Sequence, residues 1–141
     1  MDIFLSYNSA DRAWANWVAW TLKDAGHRVR FAEWELTPGS NFIAWLSEAL
    51  ATSDYMVALW SPNYFPSEYI QVENRAFLSK SDDKRLIPIL VEHTEIPPLY
   101  KDIVHISLID CSEKEARHKL AKEFDLKMVK DKSRPPFPEH T

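Results

Sequence analysis

Apolar residues along this chain follow two alternating rhythms. Five short β-rich runs, IFLSY (3–7), RVRF (28–31), YMVALW (55–60), LIPILV (86–91) and VHISLI (104–109), read as strands. Between them the period changes to three and four. Trp14, Trp17, Val18, Thr21, Leu22 and Ala25 share one helical face, and Gly26 stands where a helix C-cap would end it. Phe42, Trp45, Leu46, Ala49 and Leu50 make a second such face after the turn residues Pro38 and Gly39. Ser67 is placed to cap a third helix, and S-E-K-E at 112–115 has the capping-box form that opens a last helix through Ala116, Leu120 and Phe124. Alternation of this kind predicts an α/β domain, a mostly parallel sheet of five strands with helices on both faces.

Two positions break the pattern. Pro88 lies inside LIPILV and has no N–H to give a ladder, so that strand is near an edge, bulged, or not a strand. In SEYIQVENRAFL (67–78), a helical wheel puts Tyr69, Ile70, Val72, Ala76 and Phe77 on one apolar stripe with Glu73 inside it. An ionised carboxylate is strongly disfavoured in a dry core. Glu73 is therefore off the stripe, neutralised, salt-bridged to a residue such as Arg12 or Arg75, or facing a cavity that uses its charge.

Composition narrows the classes. At 141 residues, 45% hydrophobic and 27% charged, the chain is long enough for one domain with its own core. A net charge of −4 gives no electrostatic reason to expect nucleic acid or an anionic membrane surface. MDIFLSY lacks the features of a signal peptide, no apolar run is long enough to span a bilayer, and one cysteine, Cys111, fits a reducing compartment; a cytoplasmic location is expected. From Lys127 onward, KMVKDKSRPPFPEHT has mixed charge and three prolines, so residues 1–126 read as the domain and 127–141 as a linker or tail to a further C-terminal domain.

Several chemistries lack their motifs. The histidines are scattered and no CxxC or HxxxH pair suggests a metal. With Gly26 and Gly39 the only glycines, neither GxGxxG nor a P-loop exists. In an open α/β sheet the remaining place for a ligand is beyond the carboxyl ends of the strands, where strand order reverses. For a flavodoxin-like order 2-1-3-4-5 that crevice lies between strands one and three, lined by Tyr7, Asn8, Trp60, Ser61 and the start of the helix holding Glu73.

Four stretches, in this order and spacing, resemble the TIR (Toll/interleukin-1 receptor) domain family, and most closely its bacterial multidomain members: IFLSYNSAD, WELTPGSNF, VALWSPNYFPSEY and LIPIL. The resemblance implies a flavodoxin-like fold and one of two roles, NAD+ glycohydrolase or noncatalytic scaffold acting through homotypic TIR–TIR assembly. Catalytic members carry a glutamate on the helix after strand three with an aromatic four residues earlier, which here are Glu73 and Tyr69. The resemblance implies Glu73 as the catalytic carboxylate and Tyr69, Ser6, Tyr7, Asn8, Trp34, Phe42 and Ser61 as substrate-binding residues. It also implies NAD+ as substrate with no cofactor and no metal, activity on self-association through the loop WELTPGSNF, which should be mobile at Pro38 and Gly39, and a part in prokaryotic immune or stress signalling. An N-ribosyl hydrolase acting on another nucleotide would need the same carboxylate. The chain departs from many relatives at Ala32, where they have Asp; Glu33 is its neighbour.

Overall fold

The computed structural model describes residues 2–67, 70, 75, 77, 85–124 and 135–138. Five strands, β1 (Asp2–Ser6), β2 (Arg28–Arg30), β3 (Tyr55–Trp60), β4 (Arg85–Leu90) and β5 (Ile106–Ser107), form one sheet in the order β2-β1-β3-β4-β5. Every pairing is parallel. The helices are α1 (Arg12–Asp24), α2 (Ala32–Glu35), α3 (Phe42–Thr52) and α4 (Glu113–Phe124), and Ile70, Arg75 and Phe77 are also helical. Among the described residues no helix is long and apolar enough to cross a membrane.

Alternation along the strands divides the core between two faces. Ile3, Leu5, Val57, Leu59, Ile87 and Ile89 pack with Trp14, Trp17, Val18 and Leu22 of α1 and Ala116, Leu120 and Phe124 of α4. Phe4 and Met56 point the other way, onto Ala49 and Leu50 of α3 and onto Phe77. Further along that second face, Ala58, Trp60 and Leu90 meet Tyr64, Ile70 and Tyr100.

Local signals in the chain produce the helix ends. Gly26, at φ 94°, follows the Ala25 C-cap. Its N–H donates to the Lys23 carbonyl at 2.9 Å and that of His27 to the Leu22 carbonyl at 3.2 Å, a Schellman closure that needs the left-handed residue glycine tolerates. At α4 the Glu115 N–H donates to Ser112 Oγ at 3.2 Å while Ser112 N–H donates to Glu115 Oε1 at 3.4 Å, the reciprocal capping box. Asn41 caps α3 by accepting from the Ala44 N–H at 3.0 Å, and Ser67 Oγ accepts from the Ile70 N–H at 3.3 Å.

Pro88 belongs to β4 after all, opposite Ala58 of β3, and the ladder explains why it is tolerated. The Val91 N–H donates to the Trp60 carbonyl, and Leu90 accepts from the Leu108 N–H, so odd residues of β4 face β3 and even residues face β5. The missing donor of Pro88 is thus on the β5 side. Register Ile89↔Ile106, carried back one step, sets Pro88 against His105, where the ladder to β5 stops. β5 is accordingly much shorter than the run 104–109 predicts, and Val104 is 91% exposed.

Candidate functional site

The site grows from the carboxyl end of β1. After Ser6 the chain turns through Tyr7 and Asn8 into a 3-10 turn, Ser9–Asp11, and Asn8 Oδ1 caps that turn by accepting from the Ala10 N–H at 2.9 Å. Asp11 is buried. Its carboxylate accepts from Ser61 Oγ at 2.5 Å and from Asn63 Nδ2 at 3.4 Å, and Ser61 Oγ in turn accepts from the Asn63 N–H at 3.1 Å. Ser6 Oγ and the Tyr64 hydroxyl, both buried, share a hydrogen bond of 2.9 Å. Two buried polar contacts therefore clamp the loop after β1 to the loop after β3, at the point where strand order reverses.

A second set ties the loop after β1 to α2. The Tyr7 hydroxyl and Arg12 Nε each donate to Glu33 Oε1 at 3.2 Å, and the Tyr7 ring lies 5.4 Å from that of Phe31. Below them, the buried guanidinium of Arg30 on β2 holds both neighbouring helices. Its Nε donates to both Glu35 carboxylate oxygens at 3.0 Å, Nη1 to Thr52 Oγ1 at 3.1 Å, and Nη2 to the Glu48 carboxylate. The hydrogen bonds to Glu48 and then Glu35 push the Arg30 pKa further up, and Arg30 holds Glu48 below the usual carboxylate range. Between α2 and α3 the loop closes on itself: the Ser40 N–H donates to the Thr37 carbonyl at 2.9 Å across Pro38 and Gly39, the latter at φ 92°. Proline then glycine at those two positions is the signature of a type II turn.

These elements enclose a cleft of about 250 Å³. Phe4 and Leu5 form its floor, Tyr7, Asn8 and Ser9 one wall, Ala32, Phe42 and Trp45 another, and Ser67 and Ile70 the edge nearest the helix that follows β3. None of these residues carries a formal charge. A second cavity of about 240 Å³, between Leu86, Ile87, Val104, His105, Ile106 and Glu123, lies toward the amino ends of β4 and β5, away from the switch point.

Of the residues singled out in the sequence, Tyr7, Asn8 and Phe42 line the cleft, Tyr7 and Asn8 on one wall and Phe42 on the other. Ser6 and Ser61 lie behind it, fully buried and engaged with Tyr64 and Asp11. Trp34 is turned toward α1, its ring 5.5 Å from Trp20 and 5.1 Å from Phe31, with Lys23 Nζ 5.2 Å from its centre. Glu73 and Tyr69 lie outside the described residues. Arg30 and Trp45 were not singled out as site residues. The arginine between Val29 and Phe31, a cation flanked by two apolar residues, is the available signal for the first, whereas Trp45 reads as an ordinary core position on its helix. Among the described residues no group of three histidine, cysteine or acidic side chains could hold a metal.

A parallel five-stranded sheet in the order β2-β1-β3-β4-β5, with a cleft at its switch point, defines a flavodoxin-like α/β domain. The family model for the TIR domain matches residues 3–121, and the chain belongs to that family. Among solved structures it is similar to the TIR domain of the Toll-related receptor TRR-2 from Hydra magnipapillata, with TM-score 0.72 and 23% identity over 87% of this chain and 97% of that one. It is also similar to the Clostridium botulinum CMP N-glycosidase BcmB, with TM-score 0.61 and 18% identity over 87% of this chain and 99% of that one. A prokaryotic SEFIR domain aligns over 98% of this chain and 99% of its own length, at TM-score 0.64 and 13% identity. At identities this low the likenesses speak for the fold. No curated protein matches the sequence significantly.

Proposed function

We propose that this TIR domain hydrolyses the nicotinamide–ribose bond of NAD+, with Glu73 as the carboxylate that stabilises the developing ribosyl cation. The observation that carries the reading is the cleft at the switch point, edged by Ser67, which precedes Tyr69 in the sequence, and by Ile70, which stands between Tyr69 and Glu73. A volume of about 250 Å³ suits a nicotinamide riboside end better than a whole dinucleotide, since sites for whole drug-sized ligands begin at about 300 Å³.

The chemistry needs little else. As the N-glycosidic bond breaks, its electron pair moves to the pyridinium nitrogen, which becomes neutral nicotinamide; water then adds to the ribosyl carbon and releases a proton, leaving ADP-ribose. A cyclic product forms if an atom of the same nucleotide adds instead. The described cleft residues bear no charge, so none of them would neutralise a glutamate placed beside the cleft. In this reading Tyr69 stacks on the departing base, Tyr7, Asn8 and Phe42 line the substrate, and Ser6 and Ser61 hold the two loops in place. Phe42, 37% exposed, and Ile43, 62% exposed, stand on the first turn of α3 beside the cleft. They support activation by homotypic TIR assembly, as for an effector in prokaryotic cytoplasmic immune or stress signalling.

A second reading has one specific support, the likeness to a CMP N-glycosidase, which favours the same bond type in a pyrimidine nucleotide. The deciding experiment incubates concentrated, crowded protein with NAD+ or CMP and follows free base, with Glu73→Ala and Glu73→Gln beside it. Nicotinamide release falling by about 100-fold or more in both variants is expected, the cost typical of removing one preorganised electrostatic stabiliser. Release unchanged in both variants overturns the role of Glu73. Cytosine release without nicotinamide selects the second reading, and no release of either base under assembling conditions selects the noncatalytic scaffold.

A further inference from the structure

Beyond α4 the chain returns to the domain. The Phe137 ring lies 4.8 Å from that of Trp17 at 74° and 5.3 Å from that of Trp14 at 86°, the edge-to-face arrangement that aromatic pairs favour. It packs on the cluster that joins α1 and α4 to the sheet, and Trp14 and Trp17 are only 4% and 0% exposed. Trp17 Nε1 donates to Glu113 Oε2 at 2.8 Å, which gives the groove a polar rim from the first turn of α4. Pro135, Pro136 and Pro138 flank the ring, and the segment is neither helix nor strand. Prolines have φ already set and no N–H to satisfy, so such a segment loses little freedom when it docks. Aromatic grooves take proline-rich peptides for the same reason.

We propose that the face of α1 bearing Trp14 and Trp17 is a peptide-binding groove for a proline-flanked aromatic segment, with the chain's own Pro135–Pro138 as its ligand. The groove is on the sheet face opposite α3 and stands apart from the cleft, so it does not depend on the reaction proposed there. Ten residues, 125–134, join the ligand to α4 in the sequence, so its docking is intramolecular. Free peptide therefore competes weakly with the intact chain and strongly once Phe137 is removed.

The test follows the indole N–H resonances of Trp14 and Trp17 in the full chain. In Phe137→Ala, and in Phe137→Leu, which keeps apolar bulk without a ring, both resonances move because the neighbouring ring current is gone. A synthetic peptide of residues 133–141 added to Phe137→Ala restores them, with apparent affinity at least about tenfold tighter than for the intact chain. The same peptide carrying alanine at 137 leaves them unmoved. Resonances unchanged in both variants overturn the proposal, and so does a folded variant that wild-type peptide does not shift. If Phe137→Ala fails to fold, Phe137→Leu carries the titration.

Discussion

Replacing Arg30 by methionine tests whether the floor of the cleft loop is held by charge. The guanidinium is buried and reaches Glu35 through two oxygens, Glu48 through one, and Thr52. Hydrogen bonds to charged groups contribute about 1.5–3 kcal/mol each, and breaking a fully buried pair costs about 3–5 kcal/mol. The two carboxylates it would abandon are 28% and 52% exposed and can rehydrate, so the terms do not simply add. A loss of about 3 kcal/mol follows, or about 6–12 °C in Tm for a domain of this size. The pH dependence has a definite sign. Glu48 is held below the ordinary carboxylate range by Arg30, so the unfolded chain binds its proton at higher pH than the folded chain does. This stabilisation is complete above the unfolded pKa of about 4.3 and fades as the pH falls below it. Urea unfolding of wild type and Arg30→Met between pH 7 and 3.5 measures both effects. A loss under about 1 kcal/mol at pH 7, or an acid destabilisation just as steep in the variant, would refute the network as a clamp.

Other changes have equally definite outcomes. Gly26→Ala should cost about 1–2 kcal/mol in denaturant unfolding, all of it backbone strain, because a Cβ there meets nothing within 4 Å; Gly26→Asn should cost less. Ser61→Ala strips the Asp11 carboxylate and the Asn63 N–H of a buried partner, so a loss of about 1–3 kcal/mol is expected by the same measurement. A loss under about 0.5 kcal/mol would show that the Ser61–Asp11 hydrogen bond does not hold the two loops together. Both Glu73 variants should unfold at temperatures close to wild type while losing base release, which separates chemistry from folding in one pair of assays.

Much of this molecule was legible one residue at a time. Gly26 and the S-E-K-E box end and begin helices through hydrogen bonds spanning three to five residues, so their effect needs no knowledge of the rest of the chain. The runs at 3–7, 28–31, 55–60 and 86–91 match strands to within a residue or so, because a buried parallel sheet asks for continuous apolar segments. Pro88 could be flagged from its chemistry alone, yet whether it was permitted depended on which side of β4 it faced.

The amino-acid order thus determined most of the elements and the candidates Tyr7, Asn8 and Phe42, through local periodicity, the switch-point rule or a motif, whereas β5 is shorter than its run and α2 takes in Trp34 and Glu35 of the stretch read as a loop. Only the folded chain decided that Ser61 and Asp11, fifty positions apart, share a buried hydrogen bond, that Arg30 grips two helices, that Trp34 turns toward α1, and that Phe137 comes back onto Trp14 and Trp17. The reason is physical: a period reports which face of an element is apolar, whereas the partner that completes a buried polar or aromatic contact is set by how distant elements pack together.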